Sequence, residues 1–381
     1  MPAYLDHAAT TPLRPEAAEA MAPFLTGRFG NPSGSHAVAR AARAAIEEAR
    51  ETVAVALGAA PGEVVFTGSG TEADNLAVLG AAGAARGTGA PGRAVCTSVE
   101  HDAVLESVRA LGGTIVGVGP DGVVDLGALE AALGPDVAVV SVMLANNEVG
   151  VIQPLAAVVD LVRRKAPGAL VHTDAVQAFP WLDVAALAVG ADLVAVSAPK
   201  FGGPQGAGVL VVRNGVRLSA VLHGGGQEQG RRSGTHNVAG IVGLAAAAHA
   251  TASQREATVA RVGARRDRLA DGLVKAVPGA VETGSRDNKV AGSCHLRLPG
   301  VESEALLFLL DEAGICASAG SACASGALEP SHVLLAMGLP EVEAGSALRL
   351  SLGWSSTDAD VDAALEAVPA AVARLRSSVP A

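Results

Sequence analysis

Six short, almost unbroken apolar runs, separated by helix-like segments, constrain this chain more than any other feature. They cover residues 63–66, 94–97, 137–143, 169–172, 193–196 and 208–212. Strands that are apolar on both faces need helices on both sides, so the pattern predicts an α/β unit with a mostly parallel sheet. Helices are expected from Thr71, from about His101 and over residues 154–165. Near residue 250 the pattern changes. A long charged amphipathic segment runs over 253–277, followed by an apolar run at 293–298 and a helical stretch at 303–313. Then come a Gly/Ser/Ala loop, a run at 348–352 and a last helix from Asp358. We expect a large domain over residues 13–252. Residues 1–12 and 253–381 are expected to form a small α+β domain that carries the loop. In parallel sheets ligands bind at the carboxyl ends of the strands, and the polar residues singled out below lie there or in the loops that follow.

Composition narrows the function. A chain of 381 residues exceeds what one core usually serves. Half of it is apolar but only 2% is aromatic, so Ala, Val and Leu must build the core. The net charge of −10, with no long basic run, argues against nucleic acid or an anionic membrane as the main partner. No apolar stretch approaches the roughly 20 residues that span a bilayer. The nearest, 239–248, is too short and ends at His249. The first residues lack a basic and then apolar leader. Cys96, Cys294, Cys316 and Cys323 show no paired framework and no metal-ligand spacing. A reducing, cytoplasmic setting is expected, with no metal site.

Ser197-Ala-Pro-Lys200 follows one apolar strand, and Asp174 ends another. A lysine and an acid at neighbouring strand ends suit pyridoxal phosphate: the lysine forms the Schiff base and the carboxylate holds the pyridinium proton. Gly70 and Thr71, in Gly68-Ser-Gly-Thr-Glu72, read either as a phosphate cradle at a helix N-terminus or as an ordinary cap with Asp74 in the first turn. His101 reads as a ring-stacking imidazole or as a capping residue. Asn146-Asn147 and Gln177 offer amides to a substrate or a cofactor. Ser233-Gly-Thr235 reads as a flexible loop or as a further phosphate ligand. Arg349, inside an apolar strand pattern, needs a partner: a substrate carboxylate or a structural carboxylate. Cys323, flanked by Ala, Ser and Gly, is the candidate nucleophile. Cys96, Cys294 and Cys316 are expected to be structural, with Cys316 among core residues.

Together these segments resemble the NifS/IscS-type cysteine desulfurases over nearly the full length. The likeness lies in Tyr4-Leu-Asp-His-Ala-Ala-Thr-Thr11, Gly30-Asn-Pro-Ser33, Gly70-Thr-Glu-Ala-Asp-Asn75 and Glu100-His101. It continues through Asn146-Asn-Glu-Val-Gly150, His172-Thr-Asp-Ala-Val-Gln177, Arg232-Ser-Gly-Thr235, Gly320-Ser-Ala-Cys323, Leu328-Glu-Pro-Ser331 and Arg349-Leu-Ser-Leu-Gly353. The resemblance implies the type I fold of pyridoxal-phosphate-dependent transferases, with a mostly parallel seven-stranded sheet between helices. It implies conversion of L-cysteine to L-alanine, with Lys200 moving the α-proton and Cys323 taking the sulfur as a persulfide. The sulfur then goes to an acceptor protein, for iron–sulfur clusters, tRNA thiolation or a sulfur metabolite. It further implies that Thr71, Ser197 and, from a second subunit of a homodimer, Thr235 bind phosphate. Asp174 then meets the ring nitrogen, Gln177 the ring oxygen and His101 the ring face, while Asn147 and Arg349 hold the substrate carboxylate. One departure is plain: the family usually has Ser-x-His-Lys, and here Pro199 precedes Lys200. A selenocysteine lyase or other C–S lyase of the same fold, or a weakly catalytic sulfur carrier, are the alternatives.

Overall fold

Valine-rich runs supply the strands, and alanine-rich segments supply the helices that cover them. The computed structural model describes residues 2–320 and 330–378. Its strands, in chain order, are β1 (Ala3–Tyr4), β2 (Val64–Thr67), β3 (Arg93–Thr97), β4 (Thr114–Val116), β5 (Val137–Ser141) and β6 (Leu170–Asp174). Then follow β7 (Leu193–Ser197), β8 (Gly208–Val212), β9 (Val281–Glu282), β10 (Ser293–Arg297), β11 (Ile315–Cys316) and β12 (Ala347–Ser351). Strands β2 to β8 make one seven-stranded sheet in the order β2-β8-β7-β6-β5-β3-β4. All its pairings are parallel except those of β8, which runs antiparallel to both β2 and β7. Alternate residues feed cores on opposite faces. Val140, Val171, Val194 and Val211 pack into one cluster, and Val139, Leu193, Ala195 and Leu210 into another. That two-sided burial explains the continuous apolar runs. Strand β4 was not among those runs: it has three residues, and Ile115 at its centre is exposed.

The remaining strands form a three-stranded antiparallel sheet, β12-β10-β9, and a parallel pair, β1 with β11. Their core holds Leu5, Val262, Leu269, Leu296, Leu350 and Val361. The N-terminal segment was expected to pack there, and it does so only in part. Asp6 bridges to Ser351, but Thr11 donates to the Pro199 carbonyl through both N (2.8 Å) and Oγ1 (2.9 Å). It therefore stitches the small sheet to the end of β7.

The change of composition near residue 250 falls inside one uninterrupted helix, Val238–Ala276, of 39 residues. Its first half packs Ile241, Leu244 and Ala247 with the large sheet's core. Its second half packs Val262, Leu269 and Leu273 with the other core. Alanine is the strongest helix former, so the shift from Ala-rich to charged sequence changes the neighbours without ending the helix. Among the described residues, no helix is long and apolar enough to cross a membrane.

Candidate active site

Strand β2 ends at Thr67, and a helix, Gly70–Gly87, begins three residues later. Its cap is Ser69, whose Oγ accepts from Glu72 N at 3.1 Å; Thr71 does not serve as the cap. Thr71 instead lines a cavity of about 210 Å³ at the carboxyl ends of β6 and β7. Gly70 N donates to Ser197 Oγ at 3.2 Å, which holds the helix start against β7. A Cβ on Gly70 would come to 3.0 Å from Val176 Cγ2 and 3.1 Å from Ser197 Cβ, so a larger residue would have to push these side chains aside. The one acid of the first turn, Glu72, is turned to Arg232 (2.7 Å) and Gly68 N (2.8 Å). The positive helix end is thus left open to an anion.

Asp174 and Lys200 line the same cavity. Strands β6 and β7 are parallel neighbours, with Asp174 opposite Ala195, so their ends converge. Asp174 is buried, and Oδ1 accepts from Val176 N at 2.8 Å. Burial pushes its carboxyl pKa up, against the pull of His101, that hydrogen bond and Lys200. A buried carboxyl in this state gains by meeting a cation. Lys200 ends a single 3-10 turn, Ala198–Lys200, and its Nζ donates to the Ala9 carbonyl. Gln177 is held by Nε2 on the Ala8 carbonyl at 2.8 Å. His101 both caps and lines the cavity. Its Nδ1 accepts from Ala103 N at 3.1 Å, at the start of the helix Asp102–Ala110, so the neutral ring carries its proton on Nε2.

Arg349 and Asn147 complete the wall. Arg349 is buried, and a structural partner exists: Nη2 meets Asp6 Oδ1 at 2.8 Å. Nη1 donates to the Asn147 carbonyl at 3.2 Å. Yet Arg349 Nε and Asn147 Oδ1 are buried without partners. The structural carboxylate is thus Asp6, and its pair orients a guanidinium with one donor left over. Asp6 stood in the quoted Tyr4–Thr11 segment, but nothing in its spacing pointed 343 residues downstream.

Thr235 is exposed and does not line the cavity of its own chain. Cys323 lies outside the described residues. Among the residues that flank its loop, Ser331 Oγ donates to Glu148 Oε2 at 2.5 Å, and Gly320 adjoins the same carboxylate. Cys96 and Cys294 are buried, and burial pushes the Cys294 thiol up to about 12. Cys316 corrects the expectation: it is half-buried, because β11 is a two-residue strand paired only with β1. Three buried residues of this region, Asp74, Glu100 and His172, went unremarked as site residues. They stand inside quoted motifs, but only the fold stacks them together.

An acid for a ring nitrogen, a lysine, a hydroxyl-and-amide cradle and a guanidinium thus surround one space. The unpartnered buried donor Arg349 Nε, beside the open helix start at Gly70 and Thr71, fits pyridoxal phosphate with an amino-acid substrate. The comparisons agree. The model of the family described as Aminotransferase class-V matches residues 3–364. An "IscS-like cysteine desulfurase" of Mycobacterium tuberculosis is 47% identical, covering 98% of this chain and 97% of that one. The "Cysteine desulfurase IscS" of Methanosarcina thermophila is 41% identical, over 99% of this chain and 93% of its own. A solved "NIFS-like protein" superposes with a TM-score of 0.91 at 34% identity, covering 98% of this chain and all of that one.

Proposed function

We propose, for a chain that belongs to the class-V aminotransferase family, a pyridoxal-phosphate-dependent cysteine desulfurase. L-Cysteine becomes L-alanine, and its sulfur passes to Cys323 as a persulfide for delivery to an acceptor protein. The convergence of Lys200, Asp174, a helix N-terminus and Arg349 on one cavity carries this reading. The reading divides the chain into a large domain (13–252) and a small one (1–12 and 253–381). It also makes the enzyme a cytoplasmic homodimer in which Thr235 serves the partner's site.

Bound pyridoxal phosphate supplies an electron sink that acidifies the substrate α-carbon. Gly70, Thr71 and Ser197 bind its phosphate. Asp174 holds a proton on the ring nitrogen. The Gln177 amide, fixed by the Ala8 carbonyl, would hold the ring oxygen. Arg349, steadied by Asp6, and Asn147 orient the substrate carboxylate. Lys200 Nζ takes the α-proton, and His101 Nε2 donates a proton near the substrate. Cys323, as thiolate, attacks the substrate sulfur: an S–S bond forms, the C–S bond breaks, and the electron pair left on carbon is protonated to alanine.

The test is an assay of purified protein with pyridoxal phosphate and L-cysteine, wild type beside Cys323→Ala. Wild type is expected to release alanine, and the variant to lose persulfide formation. Equal alanine from both would overturn the role of Cys323 in favour of an eliminating lyase, and none from either would overturn the desulfurase reading.

Pro199 leads to a second expectation. It offers neither a side-chain donor nor an N–H, and its carbonyl is taken by Thr11. Pro199→His restores the donor usual in this family. A charge-assisted hydrogen bond of about 1.5–3 kcal/mol corresponds to roughly ten- to hundredfold tighter pyridoxal phosphate binding. An unchanged dissociation constant in a fluorescence titration would count against that account.

A further inference from the structure

Three carboxyl groups are buried together beneath the cavity: Asp74, Glu100 and Asp174. Asp74, just past the first turn of the helix Gly70–Gly87, lines the cavity while only 2% exposed. Its Oδ1 has no hydrogen-bond partner. His172 Nε2 lies 3.5 Å from it and lacks one as well. The other ring nitrogen of His172 is fixed, Nδ1 meeting Ser141 Oγ at 2.8 Å. The order Ser141–His172–Asp74 looks like a hydrolytic triad, but Ser141 is fully buried within β5, where no substrate reaches.

The surroundings of Asp74 are short of positive charge. His172 and Asp174 face it from β6 and Glu100 from the turn after β3, with the Cys96 thiol of β3 near Glu100. Glu100 Oε1 is satisfied by Thr97 Oγ1 (2.6 Å) and Met143 N (2.9 Å), while Oε2 is without a partner. The charge of His101 bears on Asp174 and Glu100 and that of Lys200 on Asp174, while neither acts on Asp74. Among the described residues, no Lys or Arg is ion-paired to Asp74 or Glu100. Burial, then the negative charges of Asp174 and Glu100, hold Asp74 well above the usual carboxylate range. Burial lowers His172 to about 3, so its ring stays neutral. Three negative charges cannot share such a space, and the proton goes to the carboxyls farthest from cationic help.

We infer that Asp74 is a positioning residue: a carboxylic acid that keeps its proton, with His172 Nε2 as the facing acceptor, and so leaves Asp174 as the one carboxylate in reach of a cationic ring nitrogen. Only the last clause rests on the proposed function. The neutral pair His172–Asp74 also orders the helix start that presents Gly70 and Thr71. Were Asp74 ionised, its charge would force the proton onto Asp174 and cost that residue its hold on the ring nitrogen.

The test compares wild type with Asp74→Asn, first without cofactor. An acid whose folded pKa is raised binds its proton more tightly in the folded state, so its burial costs stability progressively as pH rises above its unfolded value. A neutral amide of the same shape removes that slope. Cofactor-free Asp74→Asn is therefore expected to gain thermal stability relative to wild type between about pH 5 and pH 8. A variant that instead loses ground over this range would overturn the inference, since it would mean an ionised Asp74 paired with a charged His172. This readout stands even if neither protein binds pyridoxal phosphate, an outcome that would overturn the proposed function alone. With cofactor, Asp74→Asn is expected to keep the wild-type dissociation constant within about threefold, while Asp174→Asn weakens it by about tenfold or more. A tenfold loss in Asp74→Asn would also overturn it. If Asp74→Asn does not fold, wild-type holoenzyme labelled with carboxyl-¹³C aspartate decides: one protonated aspartate band in the infrared at about pH 8 is expected, and its absence overturns the assignment.

Discussion

Lys200→Ala is expected to lower turnover by about 10²–10⁴-fold, the range for losing a positioned acid–base group. The side chain does little for the fold. It is half-buried and donates to the Ala9 carbonyl, while Ala198 in the same turn is the fully buried residue. The variant should therefore melt like wild type, which separates lost chemistry from lost structure. Measurement at saturating pyridoxal phosphate is needed, because in the proposed function Lys200 would also tether the cofactor. Turnover within tenfold of wild type, in a cofactor-loaded variant, would remove Lys200 from the mechanism. Lys200→Arg keeps the charge but not the reactive amine, so it should behave like the alanine variant.

The largest expected effect on stability lies elsewhere, at Glu228. This carboxylate is almost fully buried and takes a two-pronged bond from Arg50, with Nη1 and Nη2 each at 2.8 Å. It also accepts from Phe66 N at 2.9 Å and meets His236 Nε2 at 2.7 Å. It thereby ties the helix Ala37–Leu57, strand β2 and the segment bearing Thr235. Glu228 and Gln229 both sit in the left-handed backbone region, φ 49° and 59°, which these bonds hold in place. Glu228→Gln leaves the buried Arg50 only the exposed Glu47, 3.2 Å away, as counter-charge and is expected to cost about 3 kcal/mol in denaturant unfolding. A loss below about 1 kcal/mol would contradict this.

The pH dependence follows from the same contacts. Burial raises the Glu228 pKa, but the bonds from Arg50 and His236 outweigh it, and the value falls from 4.5 to about 2. A carboxyl lowered on folding stabilises above its unfolded pKa, and that stability fades as pH falls through the folded value. The gap between wild type and Glu228→Gln should accordingly be full above about pH 5 and close between about pH 4.5 and pH 2. A constant gap would mean that the charge is not what stabilises.

Some of this was legible in advance. Strands β5 to β8 were visible because both their faces are buried, which writes an unbroken apolar run into the sequence. Lys200, Asp174, Thr71 and His101 were legible because each polar residue interrupts such a run at its end or opens the helix behind it. Strand β4 was not, since its middle residue faces solvent. The boundary at 252 does not coincide with a helix end, because helix propensity continues through it while the packing partner changes. Arg349 announced a need for a carboxylate without saying which.

The amino-acid sequence by itself determined the two-sided sheet, the order of its elements and the identity of the groups at the strand ends, since these follow from local pattern. Only the tertiary structure decided that Asp6 reaches Arg349, that Ser69 rather than Thr71 caps the helix, and that Asp74, Glu100 and Asp174 are buried within reach of one another's charge. Those are pairings between residues far apart in the chain. Their energies depend on distance and burial, neither of which is written in local sequence.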